Sequence, residues 1–370
     1  MSVGTEGRSR VGTEGRSRVA TEVAAGAGPD DVPPIVDPEV VAAFDAAVPP
    51  RSEGPSLQAR LVLKGFEVGL RLMRRAGGGT PSPDAPEEEL RAYALAMRSQ
   101  MEEMAARLPA SRHLDTAEPD GIGGLWVADR RITTPSPHGA DRVVLHLHGG
   151  AYLMGSPATH RGLAAALSRA VKAPVLLPRY RLAPESPYPA AVEDAIAAYR
   201  WLLDQGVAPE RIALSGDSAG GGLAIALLLS LADQRLPAPA AYVGLSPWTD
   251  LSGSGVSMQE RNDRDPWLSA DMVSPAARSY AGTASLTDPL VSPLYGDLSV
   301  LPPTLVHVGS EEILFDDAAR LVVRAREAGV DASLGRFDGM WHVFQAFPLP
   351  EARWSLREVG AFIRRHTAPS

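Results

Sequence analysis

The sequence contains no cysteine, so it can form neither disulfides nor a cysteine-ligated metal site, and no thiolate can serve as a nucleophile. Only Lys64 and Lys172 are lysines among 36 basic residues, and the formal net charge of -8 offers nucleic acid no electrostatic attraction. The longest apolar run, at residues 223–232, is far too short to span a bilayer. These absences predict a soluble, cytoplasmic protein without a nucleic-acid partner or a membrane span.

The overall composition is typical of a globular protein. The chain has 370 residues, of which 45% are apolar and 22% charged, which excludes wholesale disorder. At about 150 residues per domain this length suggests two or three domains, although large α/β folds exceed that size as single units.

An octapeptide repeat occupies the N-terminus. VGTEGRSR at 3–10 recurs at 11–18, and a degenerate copy begins at Val19. The period is too short for a solenoid, and the polar, Gly-rich unit cannot offset the entropy lost on ordering. No apolar core of a secretory signal peptide is present. We therefore expect residues 1–35 to be a disordered leader.

The next region, residues 36–120, has a helical pattern. Apolar residues recur at three- and four-residue spacing between residues 40 and 108, and a Gly/Pro-rich loop at 77–86 separates two of the expected helices. Since these helices precede any predicted strand, they form either a small domain or a cap over the rest of the chain.

Beyond residue 121, short apolar runs alternate with amphipathic helices, which predicts a mostly parallel sheet covered on both faces. A polar stretch at 247–285, with a helix near 269–280, interrupts this alternation and divides the α/β core into 121–246 and 286–370. The insertion is expected to join the N-terminal helices over the carboxyl ends of the strands, where open α/β sheets bind ligands. Strands are predicted at 124–132, 142–148, 174–180, 211–217, 240–246, 303–309 and 331–337, and core helices at 159–170, 189–204, 219–233, 316–328 and 351–365.

A candidate nucleophile lies where a predicted strand meets a predicted helix. The strand RIALSG runs into G-D-S-A-G at 216–220, a G-x-S-x-G motif centred on Ser218. The glycines allow a turn too sharp for a Cβ atom, and the N-terminus of the following helix favours developing negative charge. The sequence therefore predicts Ser218 as a nucleophile, supported by Asp217.

Two glycines after another strand predict an oxyanion hole. His148 is followed by Gly149 and Gly150, whose backbone N–H groups can turn towards a carbonyl oxygen. Ala219, the residue after the nucleophile, is the expected third donor. His148 is interpreted as a residue that organises this loop rather than as the general base.

The expected base is His342, in the loop between the last strand and the last helix. The acid that accepts its N–H group is expected in the loop after the strand at 303–309, where Glu312 is the first choice and Asp316 the second. Asp316 is instead suited to cap the following helix, and Asp288 is a weaker third candidate.

Six segments, in order along the chain, carry a resemblance to a known family. They are HLHGGAYLMGS (146–156), YRLAPESPYPAAVEDA (180–195), GDSAGGGLA (216–224), DPLVSPLY (288–295), LPPTLVHVGSEEILFDDA (301–318) and GMWHVF (339–344). Through them the sequence resembles the bacterial hormone-sensitive-lipase-like branch of the α/β-hydrolases. The resemblance implies a mostly parallel eight-stranded sheet with a helical cap, and carboxylic-ester hydrolysis by Ser218, Glu312 and His342 without metal or organic cofactor. It also implies short acyl chains and a possible homodimer.

The sequence departs from the family pattern at three positions. Ala151 replaces the usual third glycine after His148, Arg179 stands where Asp often precedes YRLAPE, and Glu312 replaces the more common Asp. Because Glu is one methylene longer, its loop is expected to lie slightly further from the base.

Two other classes of function stay open. One is a hydrolase on the same scaffold that acts on lactones, N-acetyl groups or amides. The other is a non-catalytic ligand-binding protein, as in relatives that lose the catalytic His, although Ser218, Glu312 and His342 are all present in this chain.

Overall fold

The computed structural model describes residues 36–52, 54–65, 85–107 and 113–367. The predicted leader at 1–35 and most of the predicted loop at 77–86 lie outside the described residues.

One eight-stranded sheet organises the fold. Its strands are β1 (Leu114–Ala117), β2 (Gly124–Asp129), β3 (Val143–Leu147), β4 (Val175–Pro178), β5 (Ile212–Asp217), β6 (Ala241–Leu245), β7 (Thr304–Gly309) and β8 (Ala332–Phe337). They pair in the order β1-β2-β4-β3-β5-β6-β7-β8, with β2 antiparallel to both of its neighbours and all other pairs parallel. The predicted fold class is confirmed.

Helices connect the parallel strands and lie close to their predicted positions. Those predicted after residue 150 begin and end within two residues of the expected bounds. The helices are α1 (Pro38–Ala47), α2 (57–65), α3 (Glu87–Arg107), α4 (Pro157–Val171), α5 (Ala190–Asp204), α6 (Ala219–Asp233), α7 (Ser257–Glu260), α8 (Ala270–Ala281), α9 (Phe315–Glu327) and α10 (Pro350–His366).

The sheet separates two apolar layers. Along β3, Val144 packs with α4 and α10 on one face, whereas its neighbours Val143 and Leu145 pack with α5, α6 and α9 on the other. This alternation follows from the two-residue period of a strand, and it explains why strands buried on both faces are continuously apolar.

Strand β1 differs from the sequence analysis, which placed residues 36–120 in a helical region. Among the described strands, its four residues, LDTA, pair with β2 alone, and the two central ones are exposed. This half-polar edge strand lacks the apolar run that identified the others, including β4, which is equally short. The sheet therefore begins at residue 114 rather than after 121.

The carboxyl ends of the parallel strands meet at one edge of the sheet, where two further segments join them. The insertion between β6 and β7 contains α7 and α8, and α3 reaches the same region through Arg98. Arg98 donates to the Leu153 carbonyl at 2.5 Å and pairs with Glu185 at 2.8 Å. Among the helices that the structure describes, none combines the length and apolarity needed to cross a membrane.

Candidate active site

Ser218 lies in a strained turn between β5 and α6. Its backbone has φ 53° and ψ -127°, a region that non-glycine residues rarely adopt. A Cβ atom at Gly216 would lie 2.2 Å from the Gly220 carbonyl oxygen, and one at Gly220 would lie 2.0 Å from that of Leu147. The two glycines of the motif are therefore required by close backbone approach.

A hydrogen-bonded chain joins Ser218 to two residues from other strand ends. His342 Nε2 lies 2.9 Å from Ser218 Oγ, and His342 Nδ1 lies 2.9 Å from Glu312 Oε2. All three side chains are buried. The loops after β5, β7 and β8 thus bring the predicted nucleophile, acid and base together.

The environment of His342 favours its protonated form. Burial opposes the charge, but the hydrogen bond and negative charge of Glu312, together with the charges of Asp265 and Asp217, outweigh it, so the pKa of His342 is raised above its ordinary value. An imidazole in this setting can take a proton from Ser218 and be stabilised as an imidazolium.

Glu312 is held by donors on its other oxygen. Its Oε1 accepts the Gly309 N–H at 2.6 Å and the Ser246 hydroxyl at 2.8 Å. The Ser246 hydroxyl oxygen also accepts the Val343 N–H at 3.1 Å, next to His342. Ser246 therefore connects the end of β6 to both the acid and the base.

The two alternative acids are engaged elsewhere. Asp316 lies in the first turn of α9, and its Oδ2 accepts the N–H of Ser257, the first residue of α7, at 3.1 Å. The N-cap of α9 is Leu314 and has no side-chain hydrogen bond, so the capping role considered for Asp316 is not what the structure shows. Asp288 Oδ1 accepts the Leu290 N–H at 2.8 Å in a local turn.

The predicted oxyanion residues lie beside Ser218. A Cβ atom added to Gly149 would be 3.0 Å from Ser218 Cβ and 2.4 Å from Asp217 Oδ2. Gly150 has φ 124°, and Ala219 is the first residue of α6, where backbone N–H groups have no acceptor within the helix. Ala151 has φ 52°, so the chain holds an alanine in the left-handed region where the family pattern has glycine.

His148 contacts the predicted oxyanion loop and is not part of the hydrogen-bonded chain formed by Ser218, His342 and Glu312. Its Nδ1 lies 2.8 Å from the Gly149 carbonyl oxygen, and its ring stacks on Tyr180 with centroids 4.2 Å apart. Burial, together with the charge of His160, lowers the pKa of His148 to about 3, so this ring is neutral. Tyr180 in turn donates its hydroxyl to the His148 carbonyl at 2.6 Å.

Sequence reasoning did not find Ser246 or Asp265 as residues of the site. Asp265, in the insertion, accepts the Ile313 N–H at 3.1 Å, and Ile313 directly follows Glu312. Ser246 could have been noticed as a small polar residue at a strand end. Asp265 carries no such signal, because its contact joins segments 48 residues apart.

Among the described residues, no group of three or more His, Asp or Glu side chains is arranged to hold a metal ion.

Comparison with known proteins identifies similar sequences and structures. A family model described as an alpha/beta hydrolase fold matches residues 144–346, which include Ser218, Glu312 and His342. The chain is 49% identical over 229 residues to an acetyl-hydrolase of Streptomyces hygroscopicus, across 61% of this chain and 76% of that protein. It is 39% identical over 226 residues to an esterase of Acinetobacter venetianus, across 60% of this chain and 75% of that protein. The crystal structure of an esterase from the bacterial hormone-sensitive lipase family matches with a TM-score of 0.71 and 39% identity, over 82% of this chain and 98% of that chain.

Proposed function

The chain belongs to the bacterial hormone-sensitive-lipase-like branch of the α/β-hydrolases, and we propose that it is a serine carboxylesterase acting on short- to medium-chain esters through an acyl-enzyme. Like its relatives, the protein is a carboxylic ester hydrolase. The observation that supports the catalytic assignment is the buried chain from Ser218 through His342 to Glu312, with 2.9 Å at each step. A homodimer and a cytoplasmic location stay predictions.

The proposed reaction has two halves. Ser218 Oγ attacks the ester carbonyl carbon while His342 Nε2 takes the hydroxyl proton, and the resulting oxyanion accepts hydrogen bonds from the N–H groups of Gly149, Gly150 and Ala219. His342 then gives its proton to the leaving alcohol as the tetrahedral intermediate collapses to an acyl-enzyme. Water, deprotonated by His342, attacks the acyl carbon and releases the acid and Ser218.

Glu312 keeps His342 in the required tautomer. Because Oε2 accepts the Nδ1 proton, Nε2 is left unprotonated and free to act as the base. Gly309 and Ser246 hold the other carboxylate oxygen, so the acid does not turn away during the cycle.

The cap is proposed to consist of two segments at the substrate edge of the sheet, the N-terminal helices and the insertion at 247–285. Arg98 of α3 supports this proposal because it binds the backbone just beyond the oxyanion loop. In the insertion, Arg264 pairs with Glu311 at 2.7 Å, next to the acid. Residues of the cap are therefore expected to determine which acyl and alcohol groups fit.

The acetyl group is a specific candidate for the acyl portion, because a relative that is 49% identical is named an acetyl-hydrolase. We expect p-nitrophenyl esters to be turned over with a preference for short acyl chains, and a fluorophosphonate probe to label Ser218. The measurement is kcat/KM across a series of acyl lengths, with an N-acetyl substrate alongside to separate ester from amide hydrolysis. Absence of both turnover and labelling would favour a non-catalytic binding protein.

An added methyl group in the oxyanion loop is expected to impair catalysis. In Gly149→Ala the new Cβ would meet Asp217 Oδ2 at 2.4 Å, so the loop must move and its donors lose alignment. Loss of one donor reduces kcat by roughly 10²-fold, and we expect a fall of that order in p-nitrophenyl acetate hydrolysis.

Gly162→Ala is the matched control, since Gly162 is exposed on α4 and an added Cβ meets nothing within 4 Å. It should keep wild-type kcat and gain about 0.5–1 kcal/mol in free energy of unfolding, measured with urea. Equal kcat in the two variants would remove Gly149 from the oxyanion hole.

A further inference from the structure

A buried chain of charged and polar groups lies behind the oxyanion loop. Asp217 Oδ1 lies 3.0 Å from His146 Nε2, and Asp217 Oδ2 lies 3.4 Å from His160 Nε2. His146 Nδ1 continues the chain to the Ser215 hydroxyl at 3.2 Å. His160 comes from the first turns of α4, so this helix reaches the residue that precedes the nucleophile.

The position of Asp217 poses an electrostatic problem for the proposed reaction. The carboxylate is buried and packs directly against Gly149, where an added Cβ would lie 2.4 Å from Oδ2. The adjacent N–H groups are those proposed to stabilise an oxyanion. An uncompensated negative charge there would oppose the negative charge that develops on the substrate, and it would act at short range in a poorly screened interior.

His160 has the surroundings of a cation that offsets this charge. Burial opposes its protonation, but the charge of Asp217 and the hydrogen bond to it outweigh burial, and the pKa of His160 is raised above its ordinary value. Conversely, burial favours protonated Asp217, yet the two histidines hold the pKa of Asp217 well below its usual range.

The other groups that face His160 are also consistent with a protonated, positively charged ring. Glu102 of α3 adds a second negative charge that favours the imidazolium. The His148 ring, 5.2 Å away between centroids, has a lowered pKa and is neutral, so it does not repel the cation strongly. His160 Nδ1 lies 2.9 Å from the Thr159 hydroxyl and 3.3 Å from the Ser156 carbonyl oxygen, both within α4 and its cap. In the imidazolium, the Nδ1–H group can donate to the Ser156 carbonyl and the Nε2–H group to Asp217, so each ring N–H has an acceptor.

We propose that His160 is a positioning residue which, as an imidazolium, neutralises Asp217 behind the oxyanion loop and so permits negative charge to develop on the substrate oxygen. It acts through Asp217 and does not contact the substrate. This inference rests on the proposed ester hydrolysis, because it assigns His160 a role in that reaction.

A merely structural role for His160 makes different predictions. If the side chain only fills space and holds α4, then its loss should lower the free energy of unfolding, and removing Asp217 as well should add a further loss. If the positive charge is what matters, then removing the negative charge that it offsets should restore activity. Two residues in contact are coupled in either case, so the roles are separated by whether the double variant recovers kcat or loses more of it.

The test compares His160→Gln, Asp217→Asn and the double variant with the wild type in p-nitrophenyl acetate hydrolysis. Gln keeps an N–H donor for Asp217 but carries no charge. We expect His160→Gln to lower kcat by about tenfold or more with KM changed less than about twofold, and the double variant to recover most of that loss. His138→Gln, an exposed loop histidine, is the control and should match the wild type. Thermal unfolding of every variant reports whether it folds.

A second measurement compares the pH dependence of kcat in the wild type and in the double variant. The imidazolium exists only below the raised pKa of His160, so wild-type kcat should fall as pH rises through it, after subtraction of spontaneous ester hydrolysis. This alkaline fall should be absent from the double variant.

Three results would overturn the inference. The first is a kcat of His160→Gln equal to that of an active wild type, and the second is an additive loss in the double variant. The third is an alkaline limb that persists unchanged when both groups are removed. A wild type that neither hydrolyses the ester nor reacts with a fluorophosphonate overturns the proposed function itself, and the inference with it.

Discussion

Ser218→Ala is expected to abolish measurable p-nitrophenyl butyrate hydrolysis, with kcat/KM falling by about 10⁴-fold or more. The alanine variant has no hydroxyl to form the acyl-enzyme, and His342 Nε2 loses the group that lies 2.9 Å from it. The turn itself should persist, because its shape depends on the close backbone approach at Gly216 and Gly220. Activity should therefore be lost while the unfolding temperature stays near that of the wild type.

Ser230→Ala is the matched control for this loss. Ser230 is a buried serine in α6, the helix that follows Ser218, and its hydroxyl donates to the Ala226 carbonyl at 2.8 Å within the helix. It should retain near wild-type kcat/KM and fluorophosphonate labelling, whereas Ser218→Ala should show neither. Wild-type turnover by Ser218→Ala would exclude Ser218 as the nucleophile.

The parts of the site that the sequence predicts are those fixed by local pattern and chain order. Gly216 and Gly220 mark a turn that other residues cannot make, and the apolar runs on each side identify the strand and the helix. Since parallel strands end at one edge of a sheet, Glu312 and His342, each following a strand, are brought to Ser218 without knowledge of the exact strand order. Local chemistry and topology together therefore predict the hydrogen-bonded chain.

The residues that support this hydrogen-bonded chain are positioned by contacts between segments that are distant in the sequence. Ser246 reaches Glu312 across 66 residues, and Asp265 reaches Ile313 across 48. His160 meets Asp217 only because α4 packs beside the end of β5. A lone histidine in an amphipathic helix carries no pattern that distinguishes this contact from a surface position, so the sequence could not predict it.

Assigning the acid requires both the position of each candidate in the sequence and its hydrogen bonds in the structure. Position in the chain leaves two candidates four residues apart: Glu312 in the loop after β7 and Asp316 in the first turn of α9. The structure shows the hydrogen bond of His342 to Glu312 and that of Ser257 to Asp316. The functional assignment of Glu312 is a proposal that substitution can test.

Glu312→Gln is expected to lower kcat/KM for p-nitrophenyl acetate by about 10³- to 10⁴-fold. Gly309 N–H and the Ser246 hydroxyl both donate to Oε1, so the amide oxygen will occupy that position and the amide NH₂ will face His342 Nδ1. Two donors cannot share that contact, which forces the imidazole proton onto Nε2 and removes the base for Ser218. Loss of the carboxylate charge also lowers the pKa of His342, so the acid limb of the remaining kcat/KM profile should move to lower pH.

Asp316→Asn is the control, because its amide oxygen can still accept the Ser257 N–H while the negative charge in the first turn of α9 is lost. Its kcat/KM should stay within about threefold of the wild type, since changes away from the reacting groups that keep their hydrogen bonds have small effects. The acid limb should also be unchanged, because His342 keeps its hydrogen bond to Glu312. The opposite ranking, with Asp316→Asn the more impaired variant, would transfer the role of acid to Asp316 and require the loop after β7 to rearrange during catalysis.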